Sequence, residues 1–100
     1  MTISINEIIK ESVYRKAQGE SISTENILSE AIKGISKKDL VNVFKENSLF
    51  FNNKWGKKEM IERLEGACNR RMGALILSTV EVPGESEQEF YKRIYAKQYV

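Results

Sequence analysis

Apolar residues in this chain recur at three- and four-residue steps along most of its length, the spacing that lines one face of an α-helix. Ile5, Ile8, Ile9, Ser12, Val13 and Ala17 form the first such face. Ser4 stands three residues before Glu7, the capping-box spacing, so the pattern predicts a helix from Ser4 that ends near Gly19. GESIS, residues 19–23, is a polar break. Ile27, Leu28, Ala31 and Ile32 predict a second, shorter helix over 24–33, with Gly34 as its stop. Ser36 and Asp39 bracket the next start, and Leu40, Val41, Val43 and Phe44 give that helix its inward stripe until about Asn47. LFFNN, residues 49–53, is too short and too asymmetric for an amphipathic helix. It reads as an extended connection whose apolar residues anchor it to the core.

From Lys57 the 3.6-residue period returns through Met60, Ile61, Leu64, Cys68, Met72, Leu75 and Ile76. This predicts one long helix to about Leu77, in which Gly66 and Gly73 each cost about 1 kcal/mol relative to Ala. STVEVPGES breaks the pattern at Pro83, the only proline. Ser86 and Glu89 repeat the capping-box spacing, and Phe90, Tyr91, Ile94, Tyr95 and Tyr99 line a last amphipathic helix. β-Branched density occurs only over 76–82, with no partner stretch of similar quality. The expected fold is therefore all-α: a small bundle of about five helices in one domain over 1–100. Within it, 1–35 is an N-terminal helical pair, 36–66 a helix–extended-loop–helix, and 67–100 the continuation and the C-terminal helix.

Composition narrows the chemistry. The 100 residues contain no histidine, which removes the commonest general base and metal ligand. The single cysteine, Cys68, excludes an intrachain disulfide and a thiolate zinc site, and its place on the apolar stripe makes it a core residue rather than a nucleophile. GKKEM has neither the upstream glycine nor the Ser/Thr after Lys that a phosphate-binding P-loop requires. Glu59, Glu62 and Glu65 have the spacing of a solvated helix face. No enzymatic role, cofactor or metal is expected. The longest apolar stretch, residues 74–77, is far too short to span a bilayer, and the first twelve residues lack the basic and apolar regions of a signal peptide. The expected location is the cytoplasm, or a nucleoid or nucleus for a DNA-bound protein.

Charge adds little in total and more in arrangement. Sixteen basic against fourteen acidic side chains give a net charge of +2. Lys37 and Lys38 open one helix; Lys54, Lys57 and Lys58 surround Gly56 at the start of another. A helix start presents free N–H groups and the positive end of the dipole, and so attracts phosphate. Lysines there oppose the dipole, which costs some helix stability unless an anion is bound. Gly56 lets a phosphate approach the backbone. The same lysines also read as an ordinary solvated surface. Trp55, the only tryptophan, reads either as a plug for the core or as a stacking surface for a base or a partner.

The stretch from SKKDL to GKKEMIERL resembles the helix–extended-loop–helix of the SAP family, over about residues 36–66. Leu40 and Phe44 stand where that family has its first-helix anchors, Leu49 where it has the apolar residue entering the link. Gly56, Lys57 or Lys58, Met60, Ile61, Arg63 and Leu64 match its second half. The link here is longer, holds Trp55 where small polar residues are common, and leads into a helix that outruns the family's. The resemblance implies a small non-enzymatic protein that contacts mainly the backbone phosphates of duplex DNA. Lys57 and Lys58 would carry the contacts, Gly56 the close approach, and Lys37, Lys38 and Lys54 auxiliary ones. The alternative is a protein-interaction module or small regulator, perched on the same scaffold, with Trp55, Phe50, Phe51 or the tyrosine helix as its anchor. A homodimer through that tyrosine helix fits the aromatic enrichment of interfaces.

Overall fold

The computed structural model describes residues 3–100, which form five α-helices and no strand. They are α1 (Ile5–Ala17), α2 (Thr24–Ala31), α3 (Lys37–Glu46), α4 (Lys57–Leu77) and α5 (Glu87–Tyr99). Serine starts four of them. The hydroxyls of Ser4, Ser23, Ser36 and Ser86 accept from the N–H groups of Glu7, Asn26, Asp39 and Glu89, satisfying donors that an uncapped helix leaves free. The α1 stripe is buried as its spacing predicts, Ser12 included, whose hydroxyl donates back to the Ile8 carbonyl at 2.9 Å. Helix α2 stops two residues earlier than the pattern predicts: Ile32 becomes its C-cap and still points inward, and Gly34 takes a positive φ of 75° in the turn that follows.

The end of α3 shows how a chain stops without glycine. Ser48 adopts φ 56°, its N–H donates to the Lys45 carbonyl, and the Leu49 N–H donates to that of Phe44 at 2.8 Å. This is the pair of bonds that closes a helix through a left-handed residue. The chain then runs extended through residues 49–51 and turns at 52–55. There Asn52 accepts the Lys54 N–H on its side chain, at 2.9 Å, and the Trp55 N–H on its carbonyl, at 3.0 Å. Leu49 and Phe51 anchor this link against the core as expected. Phe50 does not: it is 80% exposed. In an extended segment successive side chains point to opposite sides, so with Leu49 and Phe51 inward Phe50 is turned out.

One core gathers residues from all five helices, with Phe44, Leu40, Met60, Leu64 and Ile94 among its fully buried members. Helix α1 is central. It packs most extensively on α5 and also meets α2 and α4, while α4 meets α1, α2 and α3. At 21 residues α4 is about 31 Å long, and the molecule is elongated, 48 × 22 × 21 Å. The tyrosines of α5 face α1: Tyr95 lies 5.5 Å from Tyr14, Lys16 sits over Tyr91 and Lys10 over Tyr99. Most of that aromatic face is thus occupied within the chain. No helix among the described residues is long and apolar enough to cross a membrane.

Candidate functional site

The fold sets the two lysine-bearing helix starts near one another. At the first position of α3, the Lys37 ammonium donates to the Asn53 carbonyl at 3.3 Å. Three peptide units later comes Gly56, at most about 11 Å of chain away. The link therefore returns past the beginning of α3 before α4 begins. Lys38, Lys54, Lys57 and Lys58 are all exposed, and none of them makes an ion pair among the described residues. Lys57 and Lys58 border a shallow depression shared with Ile61, Glu62 and Glu65.

Helix α4 differs from the other four at its start. Its N-cap is Gly56, and no side chain accepts from its first turn. Glu59 is the one acidic residue there. The glycine is not required by the backbone, which has φ −74° and ψ 171°, an extended conformation open to any residue. A Cβ placed there would meet nothing within 4 Å. The first N–H groups of α4 are thus free of side-chain caps, and the space beside Gly56 is open.

Trp55 turns one side to the core and keeps part of its surface outward. It is half-buried and packs against the core, with Phe44 at 6.5 Å between ring centroids. Its remaining surface carries Phe50, at 5.8 Å, and the Arg63 guanidinium, 4.8 Å from its ring centroid. Arg63 is held there by Glu59, one turn earlier, at 3.1 Å. Of the helix-surface ion pairs that the spacing of α4 allows, this one forms. Arg71 turns instead to the Asn6 side chain, and Arg70 has no ion-pair partner among the described residues. Phe50, Trp55, Arg63, Arg70 and Glu62 wall a groove of about 280 Å³ whose floor includes Gly66 and Ala67. The Arg63–Glu59 pair is visible in the sequence as i, i+4 spacing; the groove is not, because it needs the link folded back on α4.

Elsewhere the structure holds little that resembles reaction machinery. Cys68 is buried on the α4 stripe, and burial pushes its thiol up to about 11. No cluster of three or more His, Cys, Asp or Glu residues placed to hold a metal occurs among the described residues. The open concavity between the α1–α2 turn and the start of α5, about 550 Å³, is lined mostly by polar side chains and carries a single lysine, Lys16. In comparisons with known proteins, no family model, no curated protein and no solved structure matches this chain.

Proposed function

We propose that this protein is a small non-enzymatic DNA-binding protein of the SAP-like kind, gripping backbone phosphates at the start of α4. The observation that carries the reading is the contrast at Gly56. Four helix starts are closed by serine, the lysine-bearing start of α3 among them, whereas the start of α4, with Lys54, Lys57 and Lys58 around it, has no side-chain cap and open space where a Cβ at Gly56 would stand. Free N–H groups, the helix dipole and mobile ammonium groups at one place form a phosphate site. Lys57 and Lys58 supply the charge, Lys54 flanks them, and Lys37, tied to the link at Asn53, brings Lys38 and the start of α3 alongside. Phosphate contacts position a protein on DNA without reading bases, so binding is weakly sequence-specific.

A titration of short duplex DNA at about 50 and 200 mM salt tests this. A footprint of about four phosphates gives a log–log salt slope near −3.6. Lys57→Glu with Lys58→Glu weakens binding to all sequences alike and leaves the helical spectrum intact. Gly56→Asp is the sharper variant. It supplies the missing cap, worth a few tenths of a kcal/mol over glycine, while placing a carboxylate where the phosphate sits. The expected result is a protein at least as stable that no longer binds. A chain with no duplex affinity at low salt overturns the reading. The exposed Leu77 at the end of α4, with Val80 and Val82 beyond it, would then favour a protein-docking role.

A further inference from the structure

We propose that the groove between the link and α4 seats one unpaired nucleobase, so that the protein favours DNA with a single-stranded end over plain duplex. The inference rests on the DNA-binding reading above and gives it a second, adjoining contact. Four features of the groove point to this occupant. Phe50 is 80% exposed beside the half-buried Trp55, so aromatic surface is open to solvent at the rim. The lining includes Gly66 and Ala67, small residues, and the Arg70 guanidinium lies over Gly66, where an added Cβ would meet it at 3.4 Å, so a flat group between link and helix meets that cation as well as the aromatic wall. Of the two guanidiniums at the groove, Arg63 is paired with Glu59, whereas Arg70 has no ion pair among the described residues and shares the groove with the carboxylate of Glu62. The volume of about 280 Å³ falls just below the usual range for small-molecule sites, which suits one heterocycle and not a length of polypeptide.

The chemistry of each part matches a nucleotide. Every base has a π-face that stacks on an aromatic ring regardless of sequence. The phosphate attached to that base is met by Arg70. Glu62 accepts from the N–H groups that bases carry on their pairing edges, groups that are free only in an unpaired base. The groove also continues into the lysine surface: Glu62 borders both, and Trp55 immediately precedes Gly56. A strand leaving the phosphate site at the start of α4 thus passes over the groove.

The test compares a short blunt duplex with the same duplex carrying an unpaired thymine overhang, by anisotropy at about 50 mM salt. The overhang DNA should bind about tenfold more tightly, the effect of stacking one base, and should quench Trp55 emission where blunt duplex does not. Phe50→Ala, at an exposed position that does not endanger folding, should erase the difference and leave blunt-duplex affinity unchanged. Arg70→Gln should weaken only the overhang complex. Lys57→Glu with Lys58→Glu should weaken both. Equal affinities for the two DNAs, or an overhang preference that survives Phe50→Ala, overturn the groove assignment while the lysine site stands. Failure to bind either DNA overturns both. Quenching of Trp55 by an acidic, aromatic-containing peptide, with neither DNA having any effect, gives the groove to a protein partner and overturns the proposal.

Discussion

Asn47 holds three backbone groups at once. Its Oδ1 accepts from the Ile5 N–H at 2.8 Å, and its Nδ2 donates to the carbonyls of Ile3 at 2.8 Å and Val43 at 2.7 Å. One side chain therefore ties the start of α1 to the end of α3. Replacing it with Ala leaves these groups without partners in a half-buried place, and Asn47→Ala should cost about 2–4 kcal/mol in a urea unfolding curve. A cost below about 0.5 kcal/mol would show that water replaces all three bonds. The sequence shows Asn47 only as the residue at which α3 fails, because a bond across 42 positions leaves no local pattern. Cys68 is the opposite case. Its period alone places it inward, and it is 1% exposed. With its thiol pushed up to about 11, roughly one molecule in a thousand carries the thiolate at pH 8. A thiol reagent should label it slowly in native buffer and rapidly in denaturant; equal rates would contradict its burial.

Among the elements, α4 carries the most tension between propensity and packing. It keeps one apolar stripe over 21 residues although Gly66 and Gly73 interrupt it. At Gly73 a Cβ would meet nothing within 4 Å, so the glycine has no packing reason there. Gly73→Ala should raise stability by about 0.5–1 kcal/mol, read as a higher urea midpoint with an unchanged slope. A loss would reveal a close approach absent from the free chain. At this scale the sequence was highly legible. Helices with a serine cap and a strong stripe announce both their start and their buried face, since both are set within a few residues. The link was half legible: Leu49 and Phe51 anchor it and Phe50 does not. Apolar character alone does not say which way an extended residue points. The Trp55–Arg63 stack and the groove beside it were not legible, because they depend on how the link folds back rather than on any spacing.

For the molecule as a whole, amphipathic stripes say that a face is buried and not against which neighbour, which is why five helices were readable and the central place of α1 was not. The assembled packing sets the response to pH. Glu85, bonded twice by the Arg93 guanidinium at 2.8 and 2.9 Å, is held below the usual carboxylate value. Its contribution to stability is present above about pH 4.5 and is lost as pH falls through the lower folded value. On the alkaline side Cys68, Tyr91 and Tyr99 are pushed up, mainly by burial. For such acids the fold favours the neutral form, so their contribution is complete below the ordinary values of 9.0 and 10.0 and is lost as pH rises through the folded ones. Stability should therefore be level from about pH 5 to 8 and fall on both flanks. Cys68 dominates the alkaline flank, because a rise from 9.0 to about 11 corresponds to at most about 3 kcal/mol. Cys68→Ala tests this cleanly. The variant loses packing and starts less stable, but it has no thiol to ionise. Thermal midpoints of the two proteins should converge as pH rises from 8 to 11. Parallel curves would place the alkaline loss in the tyrosines instead.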